Sequence, residues 1–200
     1  MASHEAHSPL YAQTLEAVAE VPVNAQLLLA ERELRAHINL RGDAGDKKFM
    51  NAVKKVIGTG LPTDANTTAV AGAFEVLWLS PDEWLLIGPQ ADGAKLIADL
   101  NKALKSHHYA VTDLSSAQTI IAMRGTAARE ALSKGCPFDL HPSVFASGQC
   151  AQTNVAKAMG LIIARDDGID VVVRRSFSEY LWRWLRIACD EYQPVVGQIK

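Results

Sequence analysis

An α+β fold made of two copies of one split β-α-β unit is the architecture that this 200-residue sequence predicts, and three observations carry the prediction. An apolar run ending in Arg-Gly occurs twice, as "INLRG" at 38–42 and as "IIAMRG" at 120–125. Each run is followed by a helical period and then by a proline-containing stop, Pro62 answering Pro137. Each half then continues as strands joined by a tight turn and a further helix, so the order strand–helix–strand–strand–helix is read through both.

In the first half, Leu34, Ala36, Ile38 and Leu40 alternate with Glu33, Arg35, His37 and Asn39, the period of two of a half-buried strand. Gly42 breaks it. Phe49, Met50, Val53, Val56 and Ile57 recur at helical spacing, and "GTGLP" at 58–62 ends that helix. "TTAVAGAFEVLWLS" and "EWLLIGP" follow as strands around the turn Ser80–Glu83, where Pro81 presets a turn dihedral. Asp92 reads as the N-cap of a second helix carrying Leu96, Ile97, Leu100 and Leu104 on one face. "HHYAVTDLSS" then leads into a strand.

The second half repeats the order. "QTIIAMRG" is a strand, "TAAREALSKG" a short helix and "CPFDLHP" the stop, and "AQTNVAKAMGLIIAR" and "IDVVVRR" are strands on either side of the turn Asp166–Gly168. "SFSEYLWRWLRIACDEY" closes it as a helix, with Ser176 and Glu179 reading as a capping box. Phe177, Tyr180, Leu181, Trp184, Leu185 and Ala188 define its expected core face. Trp182 lies roughly 130° from that face, beside Arg186 and Ser178. An indole so placed is either covered by a neighbouring loop or buried against another protein, and Trp182, Arg186 and Ser178 are the candidate partner interface.

Each half resembles a ferredoxin-like split β-α-β unit, with helices packed on one face of an antiparallel sheet. The expected organisation is an extended arm over 1–30 with little core of its own, a first repeat over 31–116, a second over 117–192 and a tail over 193–200. No Pro/Ser/Gly-rich linker separates the repeats near Asp113–Gln118, so the two are expected to form one folded unit. The arm is expected to be protease-sensitive when the chain is alone.

Composition narrows the function classes. A hydrophobic content of 48% supports a sizeable core, and a net charge of −2 from 20 basic and 22 acidic residues offers nothing to attract nucleic acid phosphates or a membrane surface. Apolar runs such as Leu161–Ala164 fall far short of the ~20 residues that span a bilayer. The N-terminus has neither a basic start nor a continuous apolar stretch, so a cytoplasmic location is expected. Cys136, Cys150 and Cys189 are odd in number and widely spaced, as reduced structural thiols would be.

Candidate chemistry is sparse. His107-His108 read as a solvated helix end, Asp166-Asp167 as a hairpin turn and Asp113 with Ser115-Ser116 as a strand-end turn. "RGD" at 41–43 is explained by its strand-to-helix corner. No phosphate loop, nucleophile elbow or HExxH occurs. No catalytic, cofactor-binding or metal residue is therefore expected.

The runs Thr112–Ile163 and Val171–Leu185, with "KGCPFDLHP" at 134–142, "RSFSEYLW" at 175–182 and "SPDEWLLIGP" at 80–89, resemble the gamma subunit of heterotetrameric sarcosine oxidase. That family is related in fold to the folate-binding aminomethyltransferases. Their paired aspartate falls here near Ala158-Met159, a departure that implies the fold without the reaction. The resemblance implies a noncatalytic subunit of a complex that demethylates sarcosine to glycine with peroxide and methylenetetrahydrofolate as products. No cofactor is expected on this chain; FAD, FMN, NAD and tetrahydrofolate are expected on other subunits. The implied partners are the alpha, beta and delta subunits, alpha first among them. Two alternatives remain open: the gamma-type subunit of N-methylglutamate dehydrogenase, and a stand-alone folate-dependent aminomethyltransferase-like protein.

Overall fold

Residues 7–14 and 25–199 are described by a computed structural model of the chain. The strands are β1 (Leu28–Arg32), β2 (Arg35–Gly42), β3 (Thr68–Ala71), β4 (Phe74–Ser80), β5 (Glu83–Pro89), β6 (Tyr109–Asp113), β7 (Gln118–Arg124), β8 (Cys150–Val155), β9 (Ala158–Arg165), β10 (Gly168–Arg174) and β11 (Val195–Ile199). The helices are α1 (Lys47–Ile57), α2 (Gln90–Leu104), α3 (Ala128–Ser133) and α4 (Arg175–Ala188). Helix α1 begins where Asp46 accepts a bond from the Lys48 N–H and ends at Gly58 in the left-handed region, as the sequence predicts. Asp92 falls in the first turn of α2 rather than at its cap. Ser176 and Glu179 lie inside α4, Glu179 pairing with Arg183, so the expected capping box is not formed.

The strands form a six-stranded sheet ordered β11-β1-β7-β10-β9-β8 and a five-stranded sheet ordered β3-β4-β5-β2-β6. Leu77, Leu85 and Ile87 of one pack against Ile120, Leu161, Ile163 and Val172 of the other. Helices α1 and α2 cover the outer face of the five-stranded sheet, and α3 and α4 that of the six-stranded sheet. Each sheet is thus apolar on both faces. For this reason His37 and Asn39, expected on the solvent side of β2, are buried with their neighbours.

Both halves are ferredoxin-like, and one strand crosses between them: β1, which precedes β2 in the chain, joins the sheet of the second repeat. In the five-stranded sheet β2 pairs with β6, and in the six-stranded sheet β7 pairs with β1, both antiparallel. β1 therefore fills beside β7 the place that β6 fills beside β2. Consecutive strands β1 and β2 lie in different sheets, and so do β6 and β7. The crossing of β1 ties the second repeat to the first, because cutting between them would strip the six-stranded sheet of the strand between β11 and β7 while leaving the five-stranded sheet whole.

The expected boundaries differ from the structure at both ends. Leu10, Leu27 and Leu29 lie in the core of the six-stranded sheet, so the N-terminal segment is not an arm without a core. β11, in the expected tail, pairs in parallel with β1. Residues 1–6 and 15–24, most of the expected arm, lie outside the described residues.

The second Arg-Gly corner shows what its glycine is for. Gly125 has φ +107°, and a Cβ there would stand 2.4 Å from the Gln26 carbonyl oxygen, where the chain enters β1. Gly125→Ala is expected to lower stability by on the order of 1–3 kcal/mol, read as a lower urea midpoint with an unchanged slope.

Candidate functional site

The largest polar constellation is a buried carboxylate that the sequence did not single out. Asp170 on β10 is fully buried. Its Oδ2 accepts from Arg165 Nε at 2.9 Å and Arg32 Nη1 at 3.1 Å, and its Oδ1 accepts from Arg124 Nη2. Arg165 extends the network across the layers with a two-pronged bond to Glu75 on β4, at 2.9 and 2.8 Å. Burial pushes the Asp170 pKa up, but Arg124, Arg165 and Arg32 outweigh it and hold the carboxyl below the ordinary range. A buried carboxylate held in its charged form by three guanidinium groups has no proton to give and no exposure through which to reach a substrate. It is a tie between strands and sheets.

A second cleft, ≈ 780 Å³, opens at the end of the inter-sheet layer between Asn39, Glu83, Gln118 and Gln152, with Arg174–Ser176 at its mouth. Three of its polar side chains are engaged with protein partners: Asn39 Nδ2 donates to Glu83 Oε1 and Gln152 Nε2 to the Leu79 carbonyl, both at 2.8 Å. Gln118 Oε1 lies 2.8 Å from Nδ1 of His37, a ring whose pKa burial lowers. Nucleophile and base do not converge here.

The cysteines are free and buried. Burial, seconded by Glu75, pushes the Cys150 thiol up to about 12, and burial pushes Cys189 up to about 11. Neither is a thiolate at neutral pH. Among the described residues no three His, Cys, Asp or Glu side chains form a metal-binding group, and no helix is long and apolar enough to cross a membrane. His107 Nδ1 sits 3.1 Å from the α1 cap Asp46 with its side chain only 14% exposed, so of the pair expected at a solvated helix end His108 alone is exposed.

The predicted interface residues are on α4, and the structure rotates that helix relative to the expected face. Trp182 is 3% exposed and Ser178 2%. Both face inward with Leu181 and Leu185, so the expectation that Trp182 lies outside the core is corrected. The indole belongs to the same buried cluster as Ala128 and Ala131 of α3. Ser178, small and bonded through Oγ to the Arg175 carbonyl at 2.7 Å, lets the helix approach the sheet. Side chains this buried offer a partner no surface; Arg186 alone of the three is exposed. Phe177 and Tyr180, expected in the core, are instead 43% and 39% exposed. The signal missed was the small Ser178, which reads as polar but marks the closely packed side.

Comparison with known proteins gives this geometry a context. Residues 41–191 match the family described as "Sarcosine oxidase, gamma subunit family". The chain is 34% identical over 186 residues to the sarcosine oxidase subunit gamma of Corynebacterium sp. (strain P-1), covering 90% of this chain and 89% of that protein. It is 33% identical over 187 residues to that of an Arthrobacter species, covering 91% and 90%. Among solved structures, a chain of the heterotetrameric sarcosine oxidase from Corynebacterium sp. U-96, in complex with pyrrole 2-carboxylate, superposes with a TM-score of 0.85 at 29% identity over 94% of this chain and 96% of that one. The glycine cleavage system aminomethyltransferase T from Bartonella henselae shares the fold, with a TM-score of 0.66 at 14% identity over 96% of this chain and 58% of that one. With a family match over three quarters of its length and relatives above 30% identity along nearly all of it, the chain belongs to the sarcosine oxidase gamma subunit family.

Proposed function

We propose that this chain is the gamma subunit of a heterotetrameric sarcosine oxidase, and that it serves the complex by packing on larger subunits rather than by a reaction of its own. The observation that carries the reading is the end-to-end likeness to a chain of a solved heterotetramer, at a TM-score of 0.85. Membership of the complex implies a contribution to oxidative demethylation of sarcosine in the cytoplasm. We place FAD, FMN, NAD and tetrahydrofolate on the other subunits and name alpha as the first partner. The charge-paired Asp170 and the protonated Cys150 and Cys189 thiols support a noncatalytic role. The names of the relatives favour sarcosine over N-methylglutamate.

Co-expression with the alpha, beta and delta subunits tests this. The chain is expected to co-purify in stoichiometric amount, and alone to carry no flavin absorbance and to leave sarcosine unoxidised. Elution apart from the other subunits, or flavin on the isolated chain, would overturn the reading. Saturable tetrahydrofolate binding by the isolated chain would favour the aminomethyltransferase-like alternative.

A further inference from the structure

Helix α4 divides into three arcs. At about 100° per residue, Ser178, Leu181, Trp182 and Leu185 fill the arc against the sheet. Arg175, Glu179, Arg183 and Arg186 fill the next. Phe177, Tyr180, Trp184 and Ile187, spaced i, i+3, i+7 and i+10, fill the third. Ile187 is 77% exposed, Phe177 and Tyr180 are about two-fifths exposed, and Trp184 is half-buried with its ring over Gly135. The amide of Lys157 in the β8–β9 turn donates to Tyr180 Oη at 3.3 Å, and exposed Met159 lies beyond it on β9.

One apolar arc accounts for the helix's place in this fold; the second is covered only in part, at Trp184 by the core and Gly135 and at Tyr180 by the Lys157 amide, and leaves Phe177 and Ile187 outward. The arc beside it is basic. Three guanidinium groups share it with one carboxylate, Glu179, which is bonded to Arg183 at 2.6 Å. Among the described residues Arg175 and Arg186 form no ion pair. The chain as a whole carries a net charge of −2, so the positive charge is a local feature of this surface.

We propose that the arc formed by Phe177, Tyr180, Trp184 and Ile187 is the docking surface for another subunit of the oxidase, whose complementary surface is apolar with acidic side chains along the edge meeting Arg175, Arg183 and Arg186. The proposal rests on the reading of this chain as a subunit of that complex. A second copy of the chain is the poorer fit, because it brings the same basic flank instead of its complement.

The test measures binding of the purified chain to the assembly of the other subunits. Phe177→Ala/Ile187→Ala is expected to weaken binding about 30-fold or more, the hot-spot scale. Arg186→Glu is expected to slow association and flatten its salt dependence. Val70→Ser, at a 75% exposed position on β3, is expected to change affinity by no more than about twofold. All three replace exposed side chains, so the thermal midpoint of the free chain should hold and certify the fold. Unchanged affinity of the double variant, with wild-type binding intact, would overturn the docking surface and leave the subunit reading standing. Failure of the wild type to bind would remove both. A self-associated free chain that the double variant renders monomeric, with affinity for the other subunits unchanged, would assign the arc to a second copy and overturn the proposal.

Discussion

Replacing Asp170 by Asn is expected to cost the fold about 3–5 kcal/mol, the usual result of removing one partner from a buried ionic network. The residue is fully buried, and Arg32, Arg124 and Arg165 all bond its carboxylate. An amide keeps the shape and one acceptor oxygen but removes the charge, and turns an N–H donor toward guanidinium donors. Three positive groups then remain in a poorly solvated layer with Glu75 as the nearest inter-sheet counter-charge. Because the folded carboxyl titrates below its ordinary value, its stabilisation is fully present above an unfolded pKa of about 3.9. It is lost as the pH falls through the lower, folded value. The wild type should therefore lose stability on acidification below about pH 5, while the Asn variant, already weakened at neutral pH, should show a shallower decline. Urea midpoints across that range read both effects. An Asp170→Asn protein as stable as the wild type at pH 7 would mean that the arginines find other partners or water.

This network also marks where the sequence stops being informative. The repeat was legible because a strand ending in Arg-Gly, a helix and a proline stop are local patterns, and Ile38–Gly42 and Ile120–Gly125 state them twice. The crossing of β1 into the other sheet was not legible. Strand partners are chosen by surfaces far apart in sequence, and "LLAER" at 28–32 carries no mark saying that it belongs beside β7 instead of β2. Asp170 was hidden for the same reason. In "IDVVVRR" it reads as the polar member of an alternating strand, and only the assembled sheets bring Arg32, Arg124 and Arg165 to it from three other strands or their ends. Helix α4 was legible as a helix but not in its rotation. It is amphipathic in two directions, so counting apolar residues selects the richer arc, Phe177-Tyr180-Trp184, whereas the chain's own packing uses the arc with the small serine.

Trp182→Ala should destabilise the free subunit by about 3–5 kcal/mol, the range for truncating a buried aromatic, and Phe177→Ala by about 0.5 kcal/mol or less. The contrast follows from burial on one helix: Trp182 is 3% exposed within the six-stranded sheet's core, and Phe177 is 43% exposed. Truncation of the indole leaves a cavity in the buried cluster to which Leu181 and Leu185 also belong. Affinity for the other subunits should move the opposite way. Trp182→Ala, measured below its own thermal transition, should bind them within a few-fold of the wild type, because the side chain presents nothing to a partner. Phe177→Ala should bind measurably more weakly while unfolding at the wild-type temperature. Thermal unfolding of the free subunit together with a binding titration separates the two roles. Equal destabilisation by both substitutions would place α4 in a different rotation, and loss of binding by Trp182→Ala with its fold intact would return that tryptophan to the interface.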